Sequence, residues 1–288
     1  MIATTQETHR PAVAQQRPQR RSLAAVLAPL QELAQTSTYC LTNSLGSFRY
    51  GDSSYSLARF IFDGPSSGGD PIRLGFFAGV HGDEPSGTLA LVRFLRDLAG
   101  TPELAAGYRI YAYPICNPTG FEDGTRHSRR GKDLNREFWQ ASEEPEVYLL
   151  EQELWTHAFH GIISLHSDDT SEGLYGFVNG PDLSKELLEP ALWAGEQFLH
   201  RNTRLVIDGF RARRGLIDGG YSGILSAPPE VKPAPFQLTF ETPRTPRCTC
   251  KWKQPWPPCA AFWLNTGRSW PSRPTFDRCN EDVCCIRP

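Results

Sequence analysis

His81, Glu84 and His166 are the residues of this chain best suited to hold a metal. They stand in His81-Gly82-Asp83-Glu84 and, after a long gap, in Ser164-Leu165-His166-Ser167. Two imidazoles and one carboxylate form a three-donor N/O set, which suits a catalytic zinc with one position left open for water. A structural zinc would be closed by four ligands and would usually recruit cysteines. The expectation is therefore one Zn2+ per chain and a hydrolase. A His-x-x-Glu pair in isolation is weak ground, because both residue types are common on surfaces; the elements that position the pair decide.

Residues 72–80 form a short apolar run that reads as a buried strand. Residues 87–98 follow with apolar side chains three and four apart, the spacing of a helix. His81 and Glu84 thus lie on the loop leaving the C-terminal end of a strand, where open α/β sheets place their ligand sites. His166 closes a second apolar, strand-like run over 161–165. A lone histidine there would more often be satisfied by a backbone carbonyl. With a ligand pair at another strand end, the metal reading is preferred.

A second dense group follows the alternating strand-like run 108–114. It comprises Asn117-Pro118-Thr119-Gly120, then Gly124-Thr125-Arg126, then Gly131-Lys132-Asp133-Leu134-Asn135-Arg136-Glu137-Phe138. Arginine suits planar, bidentate recognition of a carboxylate, and a neighbouring asparagine adds an amide donor. Arg126, Asn135 and Arg136 are the candidates for that role, whereas Arg129, Arg130 and Lys132 read as solvated charge. Asp168 and Asp169 follow His166 closely and could meet a substrate amine or orient an imidazole, or form a solvated turn. His157 and His160 are expected on a helix in structural roles.

The 288 residues carry a net charge of −2 with no basic stripe, so neither nucleic acid nor an anionic membrane is implied as a partner. No run approaches the roughly 18 consecutive apolar residues that a membrane span needs. Between residues 40 and 243 strand-like and helix-like runs alternate without a linker, which predicts one α/β domain. The chain divides into a polar, disordered segment 1–21 ending in Arg20-Arg21, a catalytic domain 22–243 opening on an amphipathic helix over Ser22–Leu33, and a tail 244–288. The expected location is cytoplasmic, and no feature specifies an oligomeric state.

The tail has a composition of its own. Only Cys40 and Cys116 precede residue 248, while Cys248, Cys250, Cys259, Cys279, Cys284 and Cys285 crowd the last stretch. Seven prolines and four of the seven tryptophans also fall within 244–288, a proline density that forbids a long helix. Two readings stand: an out-of-frame sequence, which is preferred, or an appendage closed by disulfides in an oxidising compartment. The first predicts a poorly packed tail that leaves apolar sheet surface uncovered.

Together with Thr239-Phe240-Glu241-Thr242-Pro243, the blocks around His81, Asn117, Arg126 to Phe138 and His166 make five in order. Over about residues 50–243 the chain resembles the zinc carboxypeptidase (funnelin) family, including its succinylglutamate desuccinylase and aspartoacylase branch. The likeness is greatest to bacterial murein-peptide carboxypeptidases. The resemblance implies a single α/β domain with a mixed, mostly parallel twisted sheet and helices on both faces. It implies that His81, Glu84 and His166 hold zinc, that Glu241 is the general base, and that Arg126 polarises the scissile carbonyl. Asn135 and Arg136 would bind a substrate carboxylate. Tyr221, in the glycine-rich stretch Gly219-Gly220-Tyr221-Ser222-Gly223, would touch substrate or simply pack.

The function implied is zinc-dependent hydrolysis of an amide bond beside a free carboxylate, by a carboxypeptidase acting on short peptides. The alternatives are an N-acyl amino acid deacylase and a catalytically impaired member that only binds. The family pattern continues into a long helix after the last block, and here the sequence departs from it at Arg244.

Overall fold

The computed structural model describes residues 20–244. The segment 1–19 and the run 245–288 lie outside the described residues, and with them the expected disorder of the N-terminus and the packing of the altered tail. The described chain begins within the segment expected to be unstructured. Arg21 N–H donates to the Glu122 carbonyl at 2.8 Å, and Ser22 caps the helix that follows by accepting from Ala25 N–H.

That helix, α1 (Leu23–Thr36), is the amphipathic element expected from the leucine spacing; it buries Leu30 against the core with Leu27 and Leu33 beside it. Strands β1 (Cys40–Tyr50) and β2 (Ser53–Asp63) form an antiparallel hairpin. Then follow β3 (Ile72–Ala78), α2 (Pro85–Gly100), β4 (Tyr108–Tyr113), the short α3 (Pro118–Asp123), α4 (Pro145–Thr156) and β5 (Gly161–Asp168). Strand β6 (Tyr175–Val178), helical turns over 181–195, and the short β7 (Val206–Ile207), β8 (Phe210–Arg211) and β9 (Leu216–Asp218) lead to β10 (Phe236–Pro243). No helix among the described residues is long and apolar enough to cross a membrane.

Eight strands form one mixed sheet in the order β1-β2-β4-β3-β5-β10-β6-β9. Its centre, β4-β3-β5-β10, is parallel throughout, while β2 joins β4 and β6 joins β10 in antiparallel fashion. Alternation along the central strands divides the core into two layers. Phe76, Ile110, Ala112 and Ile163 pack with Leu91, Leu95 and Leu98 of α2 on one face. Phe77, Tyr111, Tyr113 and Ile162 pack with Val147, Leu150 and Leu154 of α4 on the other. Strands covered on both faces read as continuous apolar runs, which is why 72–80 and 161–165 showed no alternation.

Two boundaries differ from the sequence reading. Strand β3 stops at Ala78, because the Gly79 carbonyl is taken by Asn117 N–H of the neighbouring loop. Strand β5 continues past Leu165 to Asp168, because β10 pairs alongside it as far as Pro243. His166 and Glu241 therefore sit inside strands and face each other in register. His160 lies beyond α4 in the loop before β5, where its Nδ1 accepts from Arg73 N–H at 2.9 Å.

Candidate metal centre and substrate cavity

The ligand candidates are brought together at the C-terminal edge of the parallel centre. Glu84 is the N-cap residue of α2, with Pro85 fixing the first helical turn. The partial positive charge of a helix N-terminus favours a carboxylate there. Helix α2 lies close over β5 because residue 87 is glycine: a Cβ there would sit 2.8 Å from the Leu165 carbonyl oxygen. That approach delivers Glu84 to His166 across 82 residues of sequence.

All three side chains are buried. Glu84 Oε1 lies 2.7 Å from His81 Nδ1, and Glu84 Oε2 lies 3.0 Å from His166 Nδ1. The two Nδ1 atoms approach within 3.2 Å, and one donor atom from each residue lies within 4.8 Å of the others. The outward ring nitrogens are occupied: His81 Nε2 by Asp133 Oδ1 at 3.2 Å, and His166 Nε2 by Ser164 Oγ at 3.0 Å. Metal-binding histidines are commonly oriented in this way through the nitrogen that does not bind. Burial pulls the His166 imidazole below its usual pKa, against the pull of Glu84. Burial alone would raise Glu84, but the charge and hydrogen bond of His166, followed by those of His81, hold its carboxyl well below the usual range. Two basic nitrogens facing each other beside an ionised carboxylate fit a cation.

The triad forms part of the wall of a cavity of about 540 Å³, which Arg126, Asn135, Arg136, Asp168, Tyr221 and Glu241 also line. Arg126 reaches Asp133 Oδ2 through Nε and Nη2 at 3.1 and 3.0 Å, and its Nη1 stands 3.5 Å from Glu84 Oε1. Asn135 spends its side-chain oxygen on Leu225 N–H at 2.9 Å, leaving the amide nitrogen to donate. Arg136 lies over the Tyr221 ring, 4.4 Å from its centroid, a cation–π contact. Tyr221 is pinned in turn by its hydroxyl, which donates to the Asp208 carbonyl at 2.9 Å, and by the Phe210 ring at 4.9 Å.

Glu241 on β10 lies between His166 on β5 and Tyr175 on β6. Burial, reinforced by the charges of Glu84, Asp168 and Asp208 and opposed by Arg126, pushes its carboxyl well above the usual range. Asp168 is tied to Thr170 and Tyr175 at 2.7 Å each, so it is a satisfied wall residue. Asp169 is paired with Arg244 at 3.3 Å.

Three residues of the site were not singled out by sequence. Asp133 joins His81 to Arg126, and its signal was its place two residues before Asn135. Ser164 precedes His166 by two, the period that puts both on one face of a strand. Asp208 reaches the cavity from the tip of the β7–β8 hairpin.

Residues 72–197 match the family model of the succinylglutamate desuccinylase/aspartoacylase catalytic domain. No functionally curated protein matches the chain. Among solved structures, a proposed metallopeptidase from Shewanella baltica superposes with a TM-score of 0.61 at 22% identity, over 83% of this chain and 87% of that one. A metallo-carboxypeptidase from Burkholderia cenocepacia gives 0.58 at 19% identity, over 84% and 65%. A metallo-carboxypeptidase from Pseudomonas aeruginosa, in complex with (2-guanidinoethylmercapto)succinic acid, gives 0.52 at 18% identity, over 76% and 59%. The fold is that of the zinc carboxypeptidases, and the family match supports the resemblance carried by the four sequence blocks that lie within residues 72–197.

Proposed function

We propose, on the strength of that likeness and the site's geometry, that this chain is a zinc-dependent metallocarboxypeptidase. It would hydrolyse an amide bond beside a free carboxylate in short peptides. One observation carries the reading: three metal-ligand atoms within 4.8 Å of one another stand on the wall of a cavity shared with Glu241, Arg126, Asn135 and Arg136. The donor set of two imidazoles and one carboxylate, without sulfur, is that of catalytic zinc. When bound, zinc supplies Lewis acidity and lowers the pKa of water.

The side chains supply the rest. Arg136, seated over the Tyr221 ring, and the free amide nitrogen of Asn135 take the substrate carboxylate and so fix which bond faces the ligands. Arg126, at the edge of the triad, stabilises the negative charge that develops on the scissile carbonyl oxygen. Glu241 accepts the proton of the attacking water and passes it to the leaving nitrogen, so that one water adds across the C–N bond to give an acid and an amine. A carboxyl whose pKa is raised by burial is a stronger base than an exposed one once ionised.

A second reading, N-acyl amino acid deacylation, is favoured by the family model over 72–197. The same Asn135–Arg136 pair would then hold the carboxylate of the amino acid released. Elemental analysis of the purified protein, followed by a product profile on short peptides against N-succinyl and N-acetyl amino acids, tests both. About one zinc per chain and free C-terminal amino acid from peptides is the expected result. Turnover of acyl amino acids alone would transfer the assignment to the second reading, and no zinc after reconstitution would overturn both.

A further inference from the structure

Arg21 lies far from the cavity in sequence and from every motif in the chain, yet its guanidinium reaches the ligand loop from behind. Arg21 Nη1 donates to the carbonyl of Gly82 at 2.8 Å, and Gly82 stands between the ligands His81 and Glu84. The same guanidinium lies 5.5 Å from the Phe121 ring centroid, and Arg21 N–H donates to the Glu122 carbonyl. Three contacts thus tie one residue to α3 and to the ligand loop at once.

The loop is pressed against α3 at this point. A Cβ at residue 82 would fall 1.9 Å from the Gly120 carbonyl carbon, so only glycine fits and the peptide has no side chain of its own to anchor it. Gly82 N–H donates to the Arg126 carbonyl at 3.3 Å, and Arg21 holds the carbonyl on the other side of the residue. The direction of that peptide sets where His81 and Glu84 emerge on either flank. The helix behind Arg21 is well placed to keep it there: Ser22 caps α1, and α1 packs Leu30 into the core.

We infer that Arg21 is a positioning residue for the metal centre, fixing the His81–Glu84 loop through the Gly82 carbonyl so that the ligands converge before metal arrives. The inference rests on the metal reading of the triad. It makes the junction between the segment 1–19 and α1 a working part of the site. A charged donor on a buried carbonyl is a strong form of hydrogen bond. Partners one step removed from the ligands typically alter metal affinity by 10- to 100-fold, and Arg21 belongs at the low end because it acts through the backbone.

The test is a zinc competition titration against a chromophoric chelator, with the full chain, for wild type, Arg21→Ala and Arg21→Lys. The melting temperature of each metal-free protein is recorded alongside. Arg21→Ala is expected to weaken zinc about tenfold with little change in the metal-free melting temperature, and Arg21→Lys, which keeps a charged donor, to recover most of the loss. At saturating zinc, kcat of Arg21→Ala should return close to wild type. Unchanged zinc affinity in Arg21→Ala overturns the inference and leaves the metal centre standing. Equal losses in both variants, matched by a fall in metal-free melting temperature, reduce Arg21 to a structural contact and also overturn it. A wild-type chain that takes up no zinc sinks the metal reading itself.

Discussion

Two glutamate–histidine pairs of this chain, His81 with Glu84 and Glu153 with His157, have similar spacing and are both withdrawn from solvent. On α4, the Glu153 Oε2 atom accepts from Arg59 Nη1 at 2.6 Å, from the Tyr113 hydroxyl at 2.7 Å and meets His157 Nε2 at 3.2 Å. Arg59 Nη1 also lies 2.7 Å from His157 Nε2, so a cation already stands among the acceptors. In the crevice, Glu84 spreads its two oxygens over two imidazoles whose inner nitrogens face each other at 3.2 Å. The first cluster is closed by a guanidinium; the second has room for a cation between its acceptors. Burial of charge is common to both, so it is the convergence of acceptors on one point that marks the site.

The largest effect expected from this contrast belongs to Glu241→Gln. Loss of a general base typically costs 10²–10⁴ in rate, and the isosteric amide leaves His81, Glu84 and His166, the proposed zinc ligands, untouched. Turnover should fall by about that factor while elemental analysis still finds zinc. Hydrolysis at the wild-type rate would remove Glu241 from the mechanism.

Glu153→Gln probes the closed cluster. It leaves the Arg59 guanidinium without its anion, in a site where both side chains are mostly covered. Breaking a buried pair from one side costs about 3 kcal/mol, so the denaturation midpoint should fall clearly. Zinc content and kcat/KM of the folded fraction should stay near wild type. A variant of normal stability that had lost activity would break the comparison by making α4 part of the catalytic machinery.

Glu146 sharpens it from another side, as a carboxyl that is wholly buried but has neither guanidinium nor metal. Burial, followed by the charge of Glu144, pushes it up to about 7, against a hydrogen bond from its own backbone N–H, the more distant charge of Arg130 and weak 3.5 Å contacts with Tyr50 and Thr119. A folded-state pKa above the unfolded value of 4.5 means that the neutral acid is preferred in the fold. Its stability contribution is therefore complete below about 4.5 and is lost as pH rises through about 7. Glu146→Gln should match wild type near the lower end of this window and exceed it by about 3 kcal/mol above the upper end. Melting curves at several pH values would show the gap opening. A constant gap would mean that Glu146 ionises as freely folded as unfolded.

The parts of the molecule that were legible in sequence share a physical reason. Strands β3 and β5 are buried on both faces, so their apolar runs announced both the elements and the loop that carries His81 and Glu84. Helix α1 was visible because Leu23, Leu27, Leu30 and Leu33 keep helical spacing. Strands β7, β8 and β9 span two or three residues each, too short for any alternation to register, and the hairpin carrying Asp208 was lost with them. Asp133 escaped for a different reason. Its meeting with His81 across 52 residues depends on how two loops pack, and no local pattern encodes that.

Asp133 is also where the contrast between the two clusters can be tested most finely, because it brings a feature of the closed pair into the open one. Its carboxylate takes His81 on one oxygen and Arg126 on the other, and these two partners, His81 first, hold its carboxyl well below the usual range in spite of burial. Asp133→Asn keeps an oxygen for His81 Nε2 and for the Asn135 N–H that it caps, while removing the charge that anchors Arg126. Zinc affinity should drop by about tenfold, the lower bound for a residue that orients a ligand. kcat/KM at saturating zinc should fall further, since Arg126 would no longer be held at the triad. A variant that loses zinc affinity but keeps full kcat/KM when loaded would restrict Asp133 to the metal and release Arg126 from any need to be held. One that changes neither would show that the imidazole is oriented by the packing of its loop alone.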